Sequence, residues 1–304
     1  MISLIVTAYE DPNSTKESMK KLLNQKNFHE KFEIIAACPD EPTKEVIMDY
    51  KKKHPKIIRY VKQDGDRQKN LLMNKIMKIA KGDIIIWTDG NKFLDEDAVS
   101  QILKPFEDPS VGVVGGRPTA MNDKNSMMGY WAHLLTNASD KMREIRYKKG
   151  LLIEHCANLL AMRKGILTEI PLDVAEDAII SYLITEKGYK NVYVSEAKVF
   201  VMYPRNFKDW VKQKVRSIKA HEAMNKYITK KDIKMKSFSN ELFYGLYLSL
   251  TYPRNLKELY WTLLLYPARF YIWMKAFYEI RVKKDHYQSS WSRSESTKVL
   301  DYKK

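Results

Sequence analysis

Four apolar, β-branched runs punctuate the first 88 residues, at 2–8 (ISLIVTA), 32–37 (FEIIAA), 57–61 (IIRYV) and 83–88 (DIIIWT). Helical signals lie between them. One begins at Ser14, with Glu17 three residues on, a capping-box pattern. A second begins near Pro42, where Asp40 and Glu41 suit a helix N-terminus. A third covers 68–80, with Leu71, Leu72, Lys75, Ile76 and Ile79 mostly on one face. Strands alternating with helices of this length imply an α/β fold, a mainly parallel sheet flanked by helices. Such sheets bind ligands at the carboxyl ends of their strands. The residues that follow each strand are therefore the first candidates for function.

The remainder is less regular. VGVVGGRP (111–118) reads as a strand ending in a glycine turn, 126–147 as a helix, and 175–188 as a helix closed by Gly188. Two short strands are expected at 191–195 and 197–202. No repeat or low-complexity linker interrupts the chain. Residues 238–282 are dense in Tyr, Trp, Phe and Leu, with uncharged runs of 12 residues from Leu242 to Pro253 and 10 from Leu259 to Ala268. Neither reaches the roughly 20 apolar residues a spanning helix needs. Aromatic helices interrupted by basic residues suit a membrane interface, and core helices packed on the preceding domain are the alternative. The expected division is a catalytic domain at 1–228 and an amphipathic helical extension at 229–304.

Composition narrows the class. Hydrophobic residues make up 44% of the chain, which argues against disorder. Two distant cysteines, Cys38 and Cys156, form neither a disulfide framework nor a metal-ligand pattern, and they fit a reducing, cytosol-facing compartment. The apolar N-terminal run is too short for a signal peptide and reads as the first strand. Net charge is +16, and residues 203–236 carry eleven Lys/Arg against three Asp/Glu. Such a patch attracts phosphates, anionic lipid or nucleic acid, or is a solvated helix face.

Three local patterns carry chemistry. Asp89-Gly90-Asn91 directly follows a strand, where hard oxygen ligands suit Mg²⁺ or Mn²⁺, although Asp-Gly is also an ordinary turn. Glu176-Asp177 opens a helix, as dipole partners or as a general base facing a cleft. Gln213 and Arg216 share a helix face in the basic stretch, and an arginine there can clamp phosphate, or lie on a surface helix.

Taken in order and spacing, these patterns resemble the inverting family 2 glycosyltransferases of GT-A fold, over about residues 1–225. TAYE (7–10) looks like the family's strand-one motif, whose loop holds the nucleotide, which implicates Ala8, Tyr9 and Glu10. QKNLLMN (68–74) resembles its Gly-Lys-x-x-Ala-Leu-Asn segment at Lys69 and Asn74. TDGN (88–91) stands where the family has Asp-x-Asp, VGVVGG (111–116) and HCANLLAMRKGIL (155–167) match its acceptor-side segments, and AEDAIISYLITEKGYK (175–190) its Glu-Asp helix. Gln213 and Arg216 follow Asp177 by 36 and 39 residues, as the family's Gln-x-x-Arg-Trp motif would. WSRSESTK (291–298) loosely resembles the gating segment of membrane-bound members.

The departures have consequences. Cys38-Pro39-Asp40-Glu41 replaces the family's Asp-Asp-Gly-Ser, leaving Asp40 to contact the base. Asn91 replaces the second metal-motif Asp, which implies weaker cation binding. Ser217 replaces the Trp associated with chain-extending synthases, against a processive polymerase. The resemblance implies transfer from a nucleotide-diphosphate sugar, UDP-linked in most relatives. Asp177 would act as base and Glu176 would assist it. Mg²⁺ or Mn²⁺ would lie at Asp89 and Asn91, and Lys69, Gln213 and Arg216 at the phosphates. A lipid-linked or glycan acceptor, and a peripheral or monotopic place on the cytoplasmic face of a membrane, complete the expectation. Nucleic acid is not an expected partner. The rival is a non-catalytic basic membrane- or nucleic-acid-binding protein. A sugar nucleotidyltransferase is disfavoured because TAYEDPNSTKE lacks a glycine-rich phosphate loop.

Overall fold

The computed structural model describes residues 1–63, 68–228, 245, 247–289 and 294–298. Four strands, β1 (Ile2–Thr7), β2 (Phe32–Cys38), β3 (Ile58–Lys62) and β4 (Ile84–Asp89), alternate with α1 (Pro12–Leu23), α2 (Glu41–Lys53) and α3 (Lys69–Ile79). They are followed by β5 (Lys92–Leu94), α4 (Ala98–Leu103), β6 (Val111–Ala120), α5 (Met127–Lys148), β7 (Leu160–Arg163), α6 (Glu176–Glu186), β8 (Lys190–Val201), α7 (Phe207–Ala223) and α8 (Leu256–Phe277). The strands form one sheet in the order β3-β2-β1-β4-β7-β6-β8-β5. β1 to β4 are parallel neighbours. β7 runs antiparallel between β4 and β6, β6 and β8 are parallel, and β5 reverses along the edge of β8. The sheet is thus mixed, with its parallel half formed by the sequence runs that alternate with helices.

Burial explains that alternation. Leu4 and Val6 of β1 pack with Met19, Leu22, Ile34 and Ile47 on one face of the sheet. Ile5 packs with Ile35, Leu72, Met73, Ile76 and Tyr182 on the other. A strand covered on both faces must be apolar at every position rather than at alternate ones. Each fully buried Ile or Leu contributes about 1.5–3 kcal/mol relative to exposure.

The structure corrects several local expectations. The cap of α1 is Asp11, whose side chain accepts from Ser14 N at 3.2 Å, so the helix begins two residues before Ser14. β6 continues through Gly115 and Gly116 instead of turning there. The two strands expected at 191–195 and 197–202 are one, β8, whose register against β6 shifts between Gly115 and Arg117. Gly188 does close the 175–188 segment, at φ +87°.

A third, smaller core joins α5, α7 and α8 through Trp131, Trp210, Val211, Leu265 and Ile272. Trp131 Nε1 donates to Trp261 O at 2.7 Å, and Tyr130 and Thr262 share a 2.7 Å hydroxyl hydrogen bond. α8 therefore has a core face. Its other face leaves Tyr260, Leu263, Phe270, Met274 and Phe277 more than half exposed. No helix among the described residues is long and apolar enough to cross a membrane. Residues 229–244, which include the end of the basic stretch and the start of the aromatic one, lie outside the described residues, as do Trp291, Ser292 and Arg293.

Candidate active site

A cleft of about 500 Å³ opens at the carboxyl ends of β1 and β4. The starts of α3 and α6, one face of α7 and the C-terminal segment around Tyr287 complete its wall. Parallel strands deliver their terminal side chains to the same level. Thr7 and Asp89 are paired in register at the ends of β1 and β4, and Thr7 Oγ1 donates to Asp89 Oδ1 at 2.9 Å. The next residue must be small. A Cβ on Gly90 would come 2.6 Å from Ala8 Cβ and 2.8 Å from Thr15 Oγ1, so only glycine lets the turn lie against the strand-one loop.

Lys69, at the first position of α3, joins two acidic groups from different elements. Its Nζ is 2.9 Å from Asp89 Oδ1 and 2.7 Å from Glu176 Oε1. Burial works against the charge of Lys69, but Asp89 and Glu176 outweigh it and hold the ammonium above the usual lysine range. Burial also disfavours the charge of Asp89, and Lys69 and then Lys92 reverse this, keeping its carboxyl below the usual range.

Asn91 and Lys92 follow. Lys92 Nζ donates to Asn91 Oδ1 at 2.6 Å. Burial, helped by the charge of Lys69 and opposed by Asp89, lowers the Lys92 pKa. These residues do not fit the Mg²⁺ or Mn²⁺ expected at Asp89 and Asn91. Hard divalent cations take several oxygen ligands, carboxylates foremost. Here one member of the pair is a neutral amide, and both side chains already receive lysine ammoniums. Among the described residues no three His, Cys, Asp or Glu side chains gather as a metal site.

α6 supplies the second acidic residue of the expected pair. Asp177 Oδ2 accepts from Ala157 N at 3.2 Å and its Oδ1 from Ala178 N at 2.9 Å, which orients the carboxylate from the loop before β7. α7 brings Gln213 and Arg216 to the same cleft. It is held there by the Trp131–Trp210 ring contact, 5.0 Å between centroids, and by His221 Nε2 at 3.0 Å from buried Glu154. Glu154 also accepts from Tyr182 OH of α6 at 2.7 Å, so one carboxylate ties α6 to α7. The Arg216 guanidinium lies 5.6 Å from the centre of the Tyr287 ring. Burial, and then Glu176, pushes the Tyr287 hydroxyl up to about 12. Lys69 N donates to Ser289 O at 3.0 Å, which closes this segment over the start of α3.

The structure therefore gathers Ala8, Tyr9, Lys69, Asp89, Asn91, Glu176, Asp177, Gln213 and Arg216 in one cleft. Three sequence candidates lie outside its lining. Asp40 caps α2 through Thr43 N at 3.0 Å and accepts from Glu10 N at 2.8 Å. Glu10 is exposed, with φ +49°. Asn74 is buried and exchanges two 2.8 Å hydrogen bonds with the Ile170 backbone. Sequence reasoning missed Lys92, Tyr287 and buried Arg143, which also line the cleft. Lys92 adjoins the Asp89 motif and was open to notice. Tyr287 and Arg143 reach the site only through tertiary folding.

The profile of the family described as "Glycosyltransferase like family 2" matches residues 1–220. An N-acetylglucosaminyltransferase of Rhizobium meliloti is 24% identical over 155 residues, 45% of this chain and 35% of the relative. A poly-beta-1,6-N-acetyl-D-glucosamine synthase of Staphylococcus epidermidis is 22% identical over 232 residues, 71% of this chain and 53% of the relative. The alignments thus span about half or less of these relatives. Among solved structures, a mannosyltransferase from Pyrobaculum calidifontis in complex with GDP-Man and Mn²⁺ superposes with a TM-score of 0.61 at 18% identity, covering 92% of this chain and 80% of that one. GalNAc-T7 with UDP, GalNAc and Mn²⁺ gives 0.52 at 16% identity, over 67% and 43% of the two chains. These two share the GT-A architecture.

Proposed function

The chain belongs to the glycosyltransferase-like family 2, and on that premise we propose that it transfers a sugar from a nucleotide-diphosphate sugar to an acceptor hydroxyl with inversion at the anomeric carbon. The observation that supports this most is the meeting of Asp89, Lys69, Glu176, Asp177, Gln213 and Arg216, from four separate elements, in one cleft at the strand ends. Asp177 takes the proton of the acceptor hydroxyl as its oxygen bonds to the anomeric carbon. The bond from that carbon to the diphosphate breaks, and the nucleoside diphosphate leaves with the electron pair. Lys69, Arg216 and Gln213 offer fixed donors to the charge that develops on the leaving group. Glu176 holds Lys69 in place for that role. One displacement inverts the anomeric centre.

The names of the relatives favour an N-acetylglucosamine donor, and UDP is its proposed carrier, with a GDP-sugar as the alternative. The fold neighbours were solved with Mn²⁺, which supports divalent-cation use in enzymes of this architecture. In this chain the motif oxygens face lysines instead. The proposed acceptor is a glycan or lipid-linked hydroxyl or phosphate. The apolar outer face of α8 and the basic α7 would rest on the cytoplasmic leaflet of a membrane. Residues 1–228 would form the catalytic unit and 229–304 its membrane-facing extension. Calorimetric titration of the protein with UDP and GDP tests the donor reading. Micromolar binding of one nucleotide supports it, and absence of binding to both rejects it.

A further inference from the structure

We propose that the Lys92 ammonium, together with Lys69, stands in for a divalent cation, so that this protein binds the diphosphate of its donor without metal. The inference rests on the donor reading above and goes beyond it by assigning the counter-charge. Lys92 opens β5, pairs with Val201 of β8, and is followed by buried Phe93 and Leu94, which fix its backbone at the cleft. Its Nζ is held on Asn91 Oδ1 at 2.6 Å, one residue from the end of the Asp89 turn. Lys69 holds the other end of that turn through Asp89 Oδ1 at 2.9 Å. Two positive charges therefore flank the place where the motif would otherwise bind a cation.

Asn91 has a physical role in this arrangement. An aspartate there would place a second carboxylate beside Lys92 in addition to Asp89, whereas an amide oxygen aims the ammonium without adding negative charge. An ammonium is a compact point charge with three donors, suited to phosphate oxygens.

The test is calorimetry of the full chain with UDP and with GDP, once in EDTA and once in Mn²⁺. The expected result is binding in EDTA within about threefold of the affinity in Mn²⁺, and a loss of about tenfold or more in EDTA for Lys92→Met, the effect of deleting one charged hydrogen-bond donor. Lys92→Arg, which keeps the charge, should recover most of the affinity. Binding that appears only with Mn²⁺, or a folded Lys92→Met that binds as wild type does, overturns the proposal. The wild-type comparison decides by itself if Lys92→Met does not fold. Failure of both nucleotides in both buffers rejects the donor reading, and this inference with it.

Discussion

Lys69 Nζ stands 2.9 Å from Asp89 and 2.7 Å from Glu176, so one ammonium joins the end of β4 to the start of α6. Removing it would leave two largely buried carboxylates facing one another. Lys69→Met should lower unfolding free energy by about 3–5 kcal/mol, the cost of breaking such a pair. Adding Asp89→Asn should return part of that loss, because one uncompensated charge is gone. Urea denaturation of the single and double variants measures both. A Lys69→Met protein as stable as wild type would remove the ion pair from this account.

Gly90 holds the Asp89 turn against the strand-one loop. Gly90→Ala places a methyl 2.6 Å from Ala8 Cβ, against a neighbour with no flexible side chain to yield. The variant should lose about 1–3 kcal/mol as an overpacked site. Nucleotide affinity should fall with it, because Ala8 and Asp89 both line the cleft. Thermal unfolding and calorimetry on one sample measure the two effects.

His155 should make the protein acid-sensitive. It is buried, 2.5 Å from Asn191 Oδ1, and burial, reinforced by Arg143, holds its pKa down to about 3. Its ordinary value is about 6.5, so between these values the unfolded chain binds a proton that the folded chain does not. That favours unfolding: the contribution of a neutral His155 is complete above pH ~6.5 and is lost as pH falls toward 3. The expected slope is about 1.4 kcal/mol per pH unit below that point, from this group alone. Denaturation curves from pH 7 to 5 should show a shallower slope for His155→Gln than for wild type. Equal slopes would exclude His155 as the cause.

Leu263, Phe270 and Phe277 recur every seven residues on the outer face of α8, and all are more than half exposed. If that face meets a bilayer, Phe270→Glu with Phe277→Glu should weaken sedimentation with vesicles containing anionic lipid by about tenfold or more, since each Phe buries about 1.5–3 kcal/mol of apolar surface. Stability should change little, because neither ring belongs to the core that joins α8 to α5 and α7. Unchanged vesicle binding would remove this face from the membrane proposal.

The parallel half of the sheet was legible in the sequence because β1, β2 and β4 are buried on both faces and read as unbroken apolar runs. The other half was harder for local reasons. Gly115 and Gly116 read as a turn, yet they lie within β6 because space is short. A Cβ on Gly115 would overlap the His155 ring, and one on Gly116 would come 2.5 Å from Ala197 O. β5 has three residues, too few for a periodic signal. The Ser14–Glu17 pattern concealed Asp11, the group that caps α1. In the cleft, the position of Asp89 at a strand end and of Glu176 at a helix start marks them as candidates but leaves an ordinary turn and a dipole partner open, and only the family resemblance gives them roles. Tyr287 carries no such mark, since nothing local ties it to Arg216, 71 positions earlier in the sequence.

Turnover of a panel of sugar nucleotides by wild type and Asp177→Asn, read as release of free nucleoside diphosphate, tests the proposed activity most directly. The account predicts that wild type consumes one class of donor. It also predicts that Asp177→Asn loses about 10²-fold or more in rate, as for removal of a general base, while binding that donor within about threefold of wild type. No turnover of any donor, or an Asp177→Asn enzyme keeping more than about a tenth of the rate, would contradict it.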